Sequence, residues 1–165
     1  MKKIIFLVLA FLITVKSFSQ EFTVPKNYVI ETKEDYKALE KDVLAAIDWI
    51  YTTPVNEQTK KRIEVNTFLM KWFTGSPYVH LEINTNVVNF LENGDLLIMF
   101  MAGWTKYSIE SGNYDDKTGG TMAGIEMAID FYEKNKNYLK KDKNIEKYIK
   151  MRENGTLKNY IEKNS

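Results

Sequence analysis

Residues 96–104 read LLIMFMAGW, the longest apolar run outside the N-terminus. A stretch this apolar has to leave water, so the centre of the fold lies wherever it lies. Periodicity alone does not separate a buried strand from a buried helix in so short a run. Composition favours the helix, because unbranched Leu and Met suit helices and strands prefer β-branched residues. The pattern also continues past the run. Leu97, Met101, Trp104 and Ser108 recur at three- and four-residue steps, as do Leu96, Phe100, Trp104 and Tyr107. This predicts a central helix over residues 95–111. Gly94 is expected to end a preceding helix, Asp95 to cap the new one, and Gly112 to stop it.

The N-terminus carries a second apolar run of a different kind. Met1-Lys2-Lys3 is basic, residues 4–15 are apolar, and Ser17-Phe18-Ser19 places small residues at the −3 and −1 positions before Gln20. Twelve apolar residues fall short of the roughly 20 that span a bilayer. The pattern is that of a secretory signal peptide over residues 1–19, with cleavage before Gln20. Residues 20–165 then form a single domain, periplasmic or extracellular, with no membrane span of its own. The chain has no cysteine. An exported domain without disulfides has to be held together by packing.

Removing Lys2, Lys3 and Lys16 takes Lys+Arg from 23 to 20 against 22 Asp+Glu, a net charge near −2. That charge is unevenly placed. Residues 133–165 hold ten Lys/Arg and five Asp/Glu, whereas residues 20–132 hold ten and seventeen. A positive C-terminal third therefore follows a negative body.

Along the chain, residues 20–31 read as an extended leader. Thr32 and Asp35 form a capping box that starts a helix ending at Thr53-Pro54. Asn56 is placed to cap a second helix over residues 57–74, stopped by Gly75-Ser76-Pro77. Residues 78–83 alternate like a strand but have no evident partner, so they read as extended chain or the first turn of a helix. Residues 85–92 are predicted as a short helix. After the central helix, residues 112–120 (GNYDDKTGG) form the main loop, and residues 121–138 form a second central helix. Gly120, Ala123 and Gly124 leave one of its faces nearly bare. Asp142 caps a helix to about Glu153, Asn154-Gly155 ends it, and Thr156 caps a last short one. The fold class is all-α: an irregular bundle or short α-solenoid of about six to seven antiparallel helices with an extended leader.

The chain offers little familiar chemistry. His80 is its only histidine, and it lacks a cysteine or histidine partner for nucleophilic or zinc chemistry. Lys117-Thr118-Gly119 matches one element of the β-lactamase set, but no Ser-x-x-Lys accompanies it. Asp115-Asp116 near Asn113 lacks the alternating ligands of a calcium loop. Asn154-Gly155-Thr156 fits a glycosylation triplet and serves equally well as a helix junction. No catalytic residue, metal ligand or cofactor is assigned. The candidate ligand-facing residues are Trp104 and Tyr107, where the central helix turns polar, Tyr114 in the loop, and Gly119 and Gly120, whose N–H groups open a helix. Lys140, Lys141 and Lys143 are the candidate surface-binding residues.

Three functions follow as expectations. The first is a non-catalytic binding or scaffold module of the cell envelope, engaging another envelope protein or a small ligand. The second is a carboxylate-dependent, glycosidase-like hydrolase. The third is an anionic-surface binder acting through the basic C-terminal third; nucleic acid is not expected as its partner. The cleavage reading has a direct check. Protein secreted from a host with a general secretory pathway should begin at Gln20 by N-terminal sequencing, and a retained Met1 end in the mature protein would overturn it.

Overall fold

The computed structural model describes residues 21–164, which contain seven helices and no strand. The expected signal peptide lies outside the described residues. In chain order the helices are α1 (Lys33–Ala38), α2 (Glu40–Thr52), α3 (Thr59–Gly75), α4 (Gly94–Ser111), α5 (Lys117–Asn135), α6 (Lys143–Glu153) and α7 (Leu157–Asn164). Among the described residues, no helix is long and apolar enough to cross a membrane.

α4 and α5 form an antiparallel hairpin and share the most extensive interface of the fold. Three glycines set its closeness. A Cβ on Gly103 would lie 2.5 Å from the Ala123 carbonyl oxygen and 2.9 Å from the Gly124 Cα. A Cβ on Gly124 would meet the Phe100 ring and carbonyl at 2.6 Å, and one on Gly120 would meet the Trp104 indole at 2.4 Å. The large side chains of one helix thus fill spaces that the other leaves empty, which is how a dense interior is reached. Within residues 96–104 only Leu97 and Ile98 are not fully buried.

α2 and α3 run antiparallel beside this hairpin. Arg62 joins them from within the core. Its guanidinium donates to the carbonyl oxygens of Ile50 (3.2 Å), Thr53 (2.5 Å) and Pro54 (3.1 Å), and it packs near the Trp49 and Phe131 rings. Among the described residues no carboxylate is in ion-pair range of it, although Asp95 acts on it at longer range. Its neutralising partner is the negative end of α2, where carbonyls lack helical donors. Asn135 ties down the same turn by accepting the Val55 N–H at 2.8 Å.

Residues 76–93 follow no regular ladder, yet Val79, Val87, Val88 and Phe90 are buried. Buried backbone carbonyls need partners. Here Tyr148 of α6 donates to the buried Val87 carbonyl, and Asn144 and Tyr160 also reach the half-buried Asn89 carbonyl and the exposed Asn86 carbonyl. At the N-terminal end, Phe22 and Tyr28 lay the leader on Phe68 of α3.

Several boundaries differ from expectation for identifiable reasons. The helix expected up to Thr53 is broken at Leu39, because the Trp72 indole N–H claims the Tyr36 carbonyl at 3.1 Å and so interrupts the helical ladder. α3 starts at Thr59 after a left-handed Gln58 (φ 47°), not at an Asn56 cap. Residues 85–92 form turns instead of a helix. Asn84 Oδ1 accepts the Asn86 N–H there, a local bond that competes with helix formation. Asn93, not Asp95, caps α4 by accepting the Leu96 N–H, and Gly94 is already helical. α5 begins at Lys117, so the loop after Gly112 (φ 67°) is shorter than residues 112–120. The second central helix ends at Asn135, three residues before the expected Tyr138.

Two glycine substitutions test the packing account. Gly103→Ala should lower stability by about 1–3 kcal/mol, because its Cβ meets backbone that cannot yield without parting the helices. Gly94→Ala, with nothing within 4 Å of its Cβ, should be neutral or stabilise by up to about 1 kcal/mol. Urea unfolding midpoints check both, and equal effects would contradict the account.

Candidate functional site

The five residues expected to face a ligand gather around the α4–α5 turn. Trp104 is 2% exposed against Gly120, its indole N–H buried without a hydrogen-bond partner among the described residues. The Thr105 and Ser108 hydroxyls beside it are likewise buried and unpaired. Tyr107 donates to Asp116 Oδ2 at 2.5 Å, while Asp116 Oδ1 accepts the Gly119 N–H at 2.8 Å. The Gly120 N–H goes to the Asp116 carbonyl at 2.9 Å. The anion at the start of α5 is thus the chain's own N-cap carboxylate.

Hydrogen bonds from Tyr107 and from the Gly119 backbone hold the Asp116 carboxyl below its usual range, and Asp116 in turn pushes the Tyr107 phenol up. Tyr114 donates to Glu40 Oε1 and accepts from Lys37 Nζ, both at 3.1 Å, which fastens the loop to α1 and α2. Lys37 is raised above its ordinary value, chiefly by its hydrogen bond to Glu40 and then by that to Tyr114. Of the five, Gly119 lines an open recess of about 260 Å³, shared with Asp116, Met122 and Lys158. Trp104 and Gly120 lie inside the core.

A second recess, about 290 Å³, lies between α2, α4 and α5. It brings together Asp48, Tyr51, Lys106 and Asp130. Asp48 pairs with Lys106 at 2.5 Å; Asp130 pairs with Arg152 at 2.6 Å and accepts from Tyr51 at 3.2 Å. Burial pulls the Lys106 ammonium down, but Asp48 and Glu110 outweigh it and leave the group above its ordinary value. Arg152 also pairs with Glu126 and Glu133, locking α6 against α5. His80 is exposed. Among the described residues, no group of three or more His, Cys, Asp or Glu side chains is placed to hold a metal ion.

The third feature is the outer face of α6. Ile145 and Tyr148 point into the core, so Lys143, Lys147 and Lys150 share the opposite, exposed side. With Lys141, Glu146 and Met151 they line an open depression of about 460 Å³. Lys141 reaches Glu146 at 3.5 Å and Lys147 lies 4.8 Å from the centre of the Tyr160 ring. Among the described residues, Lys143, Lys147 and Lys150 have no carboxylate in ion-pair range. Lys140 and Lys141 border an adjoining depression of about 420 Å³. The sequence-based set of Lys140, Lys141 and Lys143 therefore lies on one surface, but Lys147 and Lys150 belong to it too. Their i, i+4, i+7 spacing from Lys143 was the available signal.

No family model matches this chain, and no curated protein or solved structure matches it significantly.

The Asp116 network predicts a pH dependence. A carboxylate whose pKa is lower in the folded chain adds stability that is complete above the unfolded carboxylate value. That stability disappears as pH falls through the folded value. Asp116→Ala should therefore lose about 1 kcal/mol at pH 7 through the missing cap. Its deficit should shrink below about pH 4, while Asp116→Asn, which can still cap, should lose much less. Thermal unfolding across this range checks it; a deficit that stays constant with pH would refute the linkage.

Proposed function

We propose that this chain is an exported, non-catalytic docking module of the cell envelope that holds an anionic partner against the lysine face of α6. The observation carrying this reading is the trio Lys143, Lys147 and Lys150, aligned on one exposed side without acidic partners. Glu146 shares the depression but pairs with Lys141, so the trio is not neutralised as Arg152 is by its three carboxylates. Instead α6 spends its inward contacts on the core and leaves its positive side open. The negative body of the chain supports the same reading, because it would turn this face toward an anionic partner and the remainder away.

The carboxylate-dependent reading has less support. Its best pair, Asp48 and Asp130, meets in a recess where each acid is already engaged by a cation. A glycosidase pair needs one carboxyl to deliver a proton and the other to remain available as base or nucleophile.

Titration with soluble polyphosphate by calorimetry tests the proposal. Binding should weaken with salt, since it rests on exposed charge. Replacing Lys143, Lys147 and Lys150 with Gln should flatten the log–log salt dependence by about one unit per lysine engaged. Replacing the exposed Lys26, Lys33 and Lys60 should leave binding unchanged. Equal loss from both triple variants would refute a specific face.

A further inference from the structure

We propose that the anionic partner is the headgroup surface of a lipid bilayer, and that Tyr138 is the side chain that enters it. This rests on the docking reading above and names its occupant.

Tyr138 is 59% exposed and is the one aromatic among the large exposed hydrophobic residues of the described chain. The tyrosines near it have partners. Tyr132 hydrogen-bonds Glu146, Tyr148 donates to Val87 and Tyr160 to Asn86. Neither the ring nor the hydroxyl of Tyr138 has such a partner among the described residues. Packing therefore does not explain its place in the fold.

Its surroundings suggest what does. Tyr138 lines the 420 Å³ depression together with Lys140 and Lys141, and Lys141 also lines the 460 Å³ lysine depression. The two depressions thus meet at Lys141. Lys136 and Lys140 flank Tyr138 in the chain, both exposed. An amphipathic ring set among lysines suits the bilayer interface, where the ring sits at headgroup depth and the lysine stems lie along it with their ammonium groups toward phosphate. A soluble polyanion would reward the lysines and gain nothing from an exposed ring.

Acids on the same surface give it a direction. Asp142 is committed to the N–H groups of Asn144 and Ile145 as the cap of α6. Glu92 and Asp95 stand across the depression from Lys140 and Lys141. Anionic headgroups would be drawn to the α6 side and repelled from the α4 side. The bilayer contact therefore follows Tyr138 and the α6 lysines and does not centre on the depression.

The experiment is co-sedimentation of the mature chain with phosphatidylcholine vesicles, with and without phosphatidylglycerol, at low and physiological salt. Binding should require phosphatidylglycerol. The Lys143, Lys147 and Lys150 to Gln variant should bind about 100-fold more weakly, since each lysine near an anionic surface contributes about a fivefold factor. Tyr138→Ser should weaken vesicle binding about fivefold and leave polyphosphate binding unchanged. Tyr138→Trp should show a blue-shifted emission only when anionic vesicles are present. Polyphosphate binding without vesicle binding would overturn the bilayer inference and leave the docking reading standing; binding to neither would overturn both. Vesicle binding unaffected by Tyr138→Ser, or a Tyr138→Trp emission unmoved by vesicles, would overturn the role of Tyr138.

Discussion

The contact on which the rest of the fold depends is the close approach of α4 and α5. An apolar helix that is buried nearly all round needs a partner able to come within backbone range, because side chains on both surfaces would hold the axes apart. Gly103, Gly120 and Gly124 remove those side chains where Trp104 and Phe100 need the room. The arrangement is directional: the large residues sit mainly on α4 and the vacant positions mainly on α5. In this register Trp104 meets Gly120 and Phe100 meets Gly124, so each ring lies against a position that carries no side chain. α2, α3, α6 and α7 then cover a pair whose spacing is already decided.

The covering elements face a different problem, which is where polar backbone goes when it is buried without a ladder. Two solutions occur. At the α2–α3 connection a buried arginine collects three carbonyls, its charge favoured by the helix C-terminus and, at longer range, by Asp95. Along residues 84–90, side chains from α6 and α7 cross to the carbonyls of Asn86, Val87 and Asn89. The C-terminal helices therefore do two jobs with two faces. Their inward tyrosines and asparagine complete the middle of the molecule, and the outward lysines are left over for a partner.

The parts of this fold legible in the sequence were those governed by local chemistry or simple periodicity. The all-helical class followed from apolar spacing. The Thr32–Asp35 capping box, the Asp142 cap and the left-handed Gly112 and Gly155 sit where residue type placed them. The illegible parts were set by contacts distant in sequence. The break at Leu39 needs Trp72, and nothing near Leu39 announces it. Residues 85–92 have enough apolar residues for a helix, yet asparagine side chains and distant tyrosines offer their backbone better bonds. The same limit applied to the candidate site. Trp104, Tyr107, Tyr114, Gly119 and Gly120 lie near one another, but whether a neighbourhood faces outward depends on which side chains close over it. Here Asp116, Glu40 and Lys37 do so. The sequence reading stopped at Lys140, Lys141 and Lys143; the assembled helix adds Lys147 and Lys150 to the exposed side and leaves Lys143, Lys147 and Lys150 outside ion-pair range of Glu146.

The side-chain bonds to residues 86–89 also constrain when this molecule can finish folding. They close over 55, 61 and 74 residues of chain. A growing chain at roughly 5–20 residues per second therefore leaves those carbonyls without their α6 and α7 partners for about 3–15 s. During that interval the hairpin can form, because α4 and α5 are consecutive, but the segment that wraps it has nothing to hold on to. The last helices synthesised are thus the latch of the whole domain. A ribosome that stops short of α6 releases a chain with its centre built and its wrapping loose, exposing Val87, Val88 and Phe90 to the first apolar surface it meets.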